Sequence, residues 1–219
     1  MNPEDVLKEI ADLTNVCTRC KLHFSRKNGV PGSGNPHSEI LFIGEAPGFH
    51  ENQKGIPFVG AAGKFLDELL EAIQLKREDV FITNVVKCRP PSNRDPDTEE
   101  LEACRAYLER QIAAINPTVI VTLGRISMGY FIQNGKISSI HGGTFWSNGR
   151  MIIPMYHPAA ALHQPSLREV IKADFLKLPE LINKARANQQ DVPATTKVDD
   201  VKQDNQSLNS NSAEQLSLF

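Results

Sequence analysis

Short apolar runs alternate with amphipathic stretches along the first 187 residues. Val6, Leu7, Ile10 and Leu13 recur at helical spacing and predict a helix over Glu4–Val16. The run EILFI (Glu39–Ile43) is apolar after its first residue and stops at Gly44, as a strand buried on both faces does. Lys64–Ile73 is amphipathic and is entered through the small residues Gly60 to Gly63. VFITNVV (Val80–Val86) predicts a second buried strand. Thr98–Ile115 predicts a helix, with Thr98 as N-cap, Glu99 and Glu100 in its first turn, and Pro117 beyond its end. TVIVTL (Thr118–Leu123) predicts a third strand and MIIPMY (Met151–Tyr156) a fourth, in which Pro154 points to a short or edge-like ladder. Ser166–Ala187 predicts a last helix, interrupted at Pro179.

Strands alternating with helices predict an α/β fold: four strands in a mainly parallel sheet, covered on both faces. Ligands of such sheets bind beyond the carboxyl ends of the strands. The segments of interest are therefore Gly44–Asn52, Asn84–Arg94, Gly124–Ser127 and His157–Leu162.

The pattern fails after residue 187. Asn188 to Phe219 is rich in Asn, Gln, Ser and Asp, too polar to offset its ordering entropy, and is expected to be a disordered linker over 188–214. The tail holds two Lys and five acidic residues, which leaves the body with 22 basic and 21 acidic residues. The formal charge of -2 thus hides a body of +1, and it excludes a wholly basic nucleic-acid coat but not a local basic groove. No apolar run is long enough to span a membrane, and MNPEDVLKEI lacks the features of a secretory signal. A monomer in a reducing cytoplasm is expected, where four cysteines serve as metal ligands or buried thiols rather than disulfides.

Those cysteines are the first candidate site. Cys17 and Cys20 form C-x2-C at the end of the first helix, Cys88 follows the second strand, and Cys104 lies in the next helix. Four thiolates suit zinc or an iron–sulfur cluster, and spacing alone does not separate these from unrelated thiols. Gly44-Glu45-Ala46-Pro47-Gly48 closes the first strand and lets backbone approach a ligand; Glu45 and Glu51 beyond it could polarise a water, or be plain solvated charges. Phe58, between Gly55 and Gly60, is either a stacking platform for a flat ring or core. Asn84, polar within an apolar run, needs partners and could read an imide edge or bond neighbouring backbone. His157, before Pro158, could donate to an oxygen that gains charge.

Together these segments resemble the family 4 uracil-DNA glycosylases, the iron–sulfur branch of bacteria and archaea. The matching stretches are Cys17-x2-Cys20, ILFIGEAPG (Ile40–Gly48), PFVGAAG (Pro57–Gly63), TNVVKCRPPSNR (Thr83–Arg94), Cys104 and HPAA (His157–Ala160), in order from about Val16 to Ala187. The resemblance implies a three-layer αβα sandwich and a [4Fe-4S] cluster on Cys17, Cys20, Cys88 and Cys104. It implies hydrolysis of uracil from single- or double-stranded DNA, with Gly44, Ala46, Phe58 and Asn84 around the base. His157 would act on uracil O2, and Glu45 or Glu51 would assist the water, since an Asp of the family 1 enzymes is replaced by Ala46. One departure is Asn52, where the family often has an acidic residue; no catalytic role is assigned there.

Phosphate contacts would fall to Lys87, Arg89, Arg94 and Arg168, and Leu162 could wedge into the duplex, although each is equally an ordinary surface or helix-entry residue. Some relatives trap the sugar through a His on a basic loop after the second strand. RPPSNRDPDTEELEA, between Cys88 and Cys104, has no His, which speaks against such trapping; a binding module that holds uracil-DNA without turnover is one alternative. A zinc-stabilised nucleic-acid binder is the other alternative. Finally, Gln215-Leu216-Ser217-Leu218-Phe219 resembles the bacterial sliding-clamp-binding peptide, which implies a tethered partner at the clamp.

Overall fold

Strand β2 (Ile40–Gly44) shows how the sheet is built: Ile40 and Phe42 face one apolar cluster, Leu41 and Ile43 the other. In a pleated strand successive side chains alternate faces, so a continuous apolar run buries both. The computed structural model describes residues 2–190. Most of the linker expected at 188–214, and the Gln215–Phe219 peptide, lie outside the described residues.

Four parallel strands form the centre of the sheet, as the apolar runs predict: β3 (Phe81–Asn84), β2, β4 (Val119–Leu123) and β6 (Arg150–Met155), in that order. The sheet has six strands rather than four. β1 (Ser33–Gly34) and β5 (Phe145–Ser147) add antiparallel edges on β3 and β6. Both are too short to show a period-two pattern. Pro154 lies beyond the end of the β5 pairing, where β4 is the one strand paired with β6, so the edge-like reading holds locally.

Helices cover both faces. α3 (Ala61–Ala72), α8 (Leu167–Leu176) and α9 (Leu178–Gln190) bury Leu66, Leu69, Leu70, Ile171, Phe175 and Ile182 against one side. α4 (Thr98–Ile115) packs Leu108 and Ile115 on the other. The chain is thus a three-layer αβα sandwich. α1 (Pro3–Val16) lies on α4, where Ile10 and Tyr107 share a third cluster with the cysteines.

Two helix ends differ from expectation. The N-cap of α4 is Asp97, not Thr98, because Asp97 and Glu100 form a reciprocal capping box. The interruption expected at Pro179 falls two residues earlier, at Lys177 between α8 and α9, which puts Pro179 in the first turn of α9, where its missing N–H has no intrahelical partner to lose. α9 also runs past residue 187 to Gln190. Short helices fill the connections after the strands: α2 (Phe49–Lys54), α5 (Arg125–Phe131), α6 (Ile137–Ile140) and α7 (Ala160–His163).

Candidate active site

β2, β3 and β6 end around one cavity of about 380 Å3, lined among others by Glu45, Ala46, Gly48, Glu51, Phe58, Asn84, Arg94 and His157. It sits beyond the carboxyl ends of parallel strands, where helix N-termini and loops converge.

Asn84, the last residue of β3, is 1% exposed, and its Oδ1 has no hydrogen-bond partner among the described residues. Buried amide oxygens are nearly always satisfied, so this acceptor is set for a donor that enters the cavity. Gly44, facing it across the β2–β3 ladder, has to be glycine. A Cβ there would lie 2.4 Å from Asn84 Oδ1 and 2.7 Å from Phe58 Cζ.

Phe58 is 5% exposed and stacks on His157, with ring centroids 5.4 Å apart and planes 23° from parallel. It is at once core and cavity wall. Its φ of 52° is costly for a bulky residue and is held from two sides. Gly63 leaves room for the Phe58 carbonyl, which a Cβ would meet at 1.8 Å. Arg77 donates to Pro57 O at 3.0 Å and to Phe58 O, and pairs with Asp67 at 2.5 Å. Nothing in the sequence marks Arg77, since its partners are backbone carbonyls 19 and 20 residues away.

His157 follows β6. Its Nδ1 accepts from the Ala159 N–H at 3.0 Å, so in the neutral ring the proton sits on Nε2. Burial lowers its pKa to about 4, against a smaller opposing pull from Glu51. The imidazole is therefore neutral near pH 7, with one N–H to donate.

The two carboxylates differ. Glu51 Oε1 accepts from Val59 N and Gly60 N, both at 2.9 Å, and so ties α2 to the start of α3. Glu45 is raised above the ordinary carboxylate range, first by burial and next by the neighbouring charge of Asp95. Arg125, 2.5 Å from Asp95, acts in the opposite direction. Nothing in the sequence marks Asp95, which follows the proline-rich loop and belongs to no motif. Asn52 is buried, and its Oδ1 accepts from Lys27 N at 2.9 Å, a structural bond.

All four cysteines line one further cavity, beside Arg26 and Tyr107. Arg26 donates to Cys88 Sγ at 3.4 Å and to Cys17 O at 2.8 Å; the Lys87 backbone N–H points at Cys104 Sγ, 3.4 Å away. Among the described residues no three Cys, His or acidic side chains are grouped closely enough for a single ion.

The basic residues separate. Lys87 does not face solvent: it is 1% exposed, and its Nζ donates to Thr83 Oγ1 (2.8 Å), Asn84 O (2.6 Å) and Gln111 Oε1 (2.7 Å). Burial brings its pKa down to about 7. Arg94 reaches the cavity but forms a two-point ion pair with the buried Glu100, at 2.7 and 2.9 Å. Arg168 pairs with Glu68 and lies 4.1 Å above the Phe65 ring. Arg89 has no carboxylate within ion-pair distance among the described residues; its Nε donates to Asn93 Oδ1 at 2.7 Å. Leu162, on α7 between the cavity residues Ala160 and His163, is 47% exposed.

The chain is similar to several known proteins. The family described as the uracil DNA glycosylase superfamily matches residues 31–182. A type-4 uracil-DNA glycosylase of Archaeoglobus fulgidus is 48% identical over 190 residues, covering 83% of this chain and 94% of that protein. Its counterpart in Thermotoga maritima is 42% identical over 186 residues, covering 83% and 97%. A type-5 uracil-DNA glycosylase of Thermus thermophilus is 34% identical over 149 residues, covering 58% of this chain and 68% of that protein.

Proposed function

The chain belongs to the uracil-DNA glycosylase superfamily, and from that premise we propose that its cavity accepts a uracil extruded from DNA and that the chain hydrolyses the N-glycosidic bond, leaving an abasic site. Extrusion costs a few kcal/mol, least where the strand is already single. The unpartnered Asn84 Oδ1 carries this reading. It accepts from uracil N3–H, while the amide NH2 donates to O4. Cytosine offers an acceptor at N3 and a donor at its exocyclic amine, so both contacts turn repulsive in a site shut off from water. Phe58 covers one face of the ring.

The bond between N1 and C1′ breaks with its electron pair going to the base. Negative charge builds on uracil O2, where the neutral His157 Nε2–H stabilises it. The oxocarbenium-like sugar is attacked at C1′ by water. Glu45 or the second carboxylate oxygen of Glu51 orients that water; Glu51 Oε1 is already committed to two backbone N–H groups.

The type-4 relatives and the donor set support a [4Fe-4S] cluster held by Cys17, Cys20, Cys88 and Cys104. Four cysteines around one cavity suit a cluster or a zinc ion, and the likeness to type-4 enzymes favours the cluster. When bound, the cluster supplies four covalent ties between α1, the loop after β3, and α4. Arg26 and the Lys87 N–H would donate to its ligand sulfurs. Loaded protein should be brown; a colourless metal-bound protein would argue for zinc.

The deciding experiment is uracil release from single- and double-stranded oligonucleotides under multiple turnover. Asn84→Leu should lower release at least about 100-fold with the fold intact. Tight binding without turnover would favour a binding module instead. Single-turnover rates of Glu45→Gln and Glu51→Gln apportion the water: unchanged rates in both would remove carboxylate assistance. We further propose that Gln215, Leu216, Leu218 and Phe219 dock on the sliding clamp, a reading from sequence alone that fails if their deletion leaves clamp affinity unaltered.

A further inference from the structure

Phe49 is 52% exposed at the start of α2, directly after the cavity residue Gly48. Arg89 reaches it from the opposite wall, directly before the cavity residue Pro90, and sets its guanidinium 5.4 Å from the ring centroid. The two side chains thus bridge the loop after β2 and the loop after β3 at the cavity rim. About half of the Phe49 ring stays open to solvent, and among the described residues no buried cluster includes it.

The charge is available as well. Arg94, Arg125 and Arg168 each sit on a carboxylate. Arg89 is oriented by Asn93 through Nε alone, and among the described residues neither terminal nitrogen has a hydrogen-bond partner. An aromatic face beside an unpaired guanidinium is what a nucleotide needs: a surface for its base and a donor for its phosphate.

We propose that Phe49 and Arg89 form a platform for the nucleotide next to the extruded uracil, the ring stacking on that neighbour's base and the guanidinium contacting its phosphate. The inference rests on the uracil reading of the cavity and adds a second subsite. In single-stranded DNA, which has no partner strand to hold the neighbour in place, the platform would fix the backbone that enters the cavity.

Oligonucleotides test this when the uracil's neighbour is a normal nucleotide or a baseless tetrahydrofuran unit, on either side in turn. The parent protein should lose about tenfold in kcat/KM when one neighbouring base is missing, the low end for a base stacked on an aromatic side chain. Phe49→Ala should start about tenfold lower and be indifferent to the missing base, and Phe49→Trp should restore the dependence. Arg89→Gln should flatten the salt dependence of single-strand binding by about 0.7 in log–log slope. Three results would overturn the platform: a parent indifferent to both neighbours, a Phe49→Ala variant as sensitive as the parent, or an Arg89→Gln variant with the parent's salt slope. Failure of the uracil reading looks different, since the parent would then release no uracil from any of these substrates.

Discussion

Gly44 and Asn84 are coupled by exclusion: any side chain on Gly44 would occupy the space in which Asn84 holds its unpartnered Oδ1, 2.4 Å from an added Cβ. Phe58 fills the rest of that space, 2.7 Å from the same point. Gly44→Ala should displace both groups that define the base slot. Misplacement by about 1 Å costs on the order of 100-fold in rate, and overpacking costs about 1–3 kcal/mol in stability. Uracil release and urea unfolding measure the two effects, and a Gly44→Ala variant with parental kcat/KM would refute the coupling.

The half-buried, neutral His157 sets an acid limit. Its folded-state pKa of about 4 lies below the 6.5 of an exposed imidazole. The stability held by the neutral ring is complete above pH 6.5 and is lost as pH falls through the folded value near 4. Protonation would also set an N–H on Nδ1 against the Ala159 N–H, breaking the bond that orients the ring. Single-turnover rates should stay level from pH 8 to about 5 and fall below that. In His157→Gln, unfolding midpoints between pH 6.5 and 4 should decline less steeply than in the parent. A rate profile that titrates near 6.5 would exclude a depressed His157. Glu45, raised by burial and by Asp95, adds to the same limb, and Glu45→Gln should leave only the His157 part.

Arg77 is a remote support for the base slot. It spans Pro57 O, Phe58 O and Asp67, and so locks the positive φ of Phe58. Arg77→Ala should lower the unfolding free energy by about 1–3 kcal/mol. KM for uracil-DNA should rise by about tenfold while the single-turnover rate at saturation changes little, because the slot loosens without losing a reacting group. Arg77→Lys should recover only part, since an ammonium lacks the planar fork that reaches carbonyls and a carboxylate together. An Arg77→Ala variant with parental KM would remove Arg77 from this role.

What the chain discloses in advance follows from how local each cause is. The four central strands are readable because each is buried on both faces, which writes a continuous apolar run. β1 and β5 are not, because two or three residues pairing at an edge leave no period. Phe58, Asn84 and His157 each stand at the end of a strand or in a glycine-framed turn, and the fold brings them to one cavity, with Gly44 directly before the cavity residue Glu45. The basic residues mislead for the opposite reason. A lysine or arginine carries no sign of whether a distant chain segment will supply its partner. Arg94 finds Glu100, Arg168 finds Glu68 across 100 positions, and Lys87 is enclosed by Thr83 and Gln111.

Lys87 gives the sharpest contrast with its neighbour Arg89. Its ammonium lies among three oxygens, one of them the Asn84 carbonyl, and its backbone N–H meets Cys104 Sγ. Lys87→Met would leave those three acceptors facing an apolar side chain without water. Leaving a buried neutral acceptor without a donor costs about 1–3 kcal/mol, so a loss of at least that order in unfolding free energy is expected. Because one acceptor belongs to Asn84, discrimination between uracil and cytosine should also narrow. The salt dependence of DNA binding, by contrast, should stay parental, since a charge sealed in the core releases no counterion from a phosphate. Unfolding in urea and binding at several salt concentrations separate these outcomes. A Lys87→Met variant that keeps its stability but flattens the salt slope would return Lys87 to the DNA-facing surface.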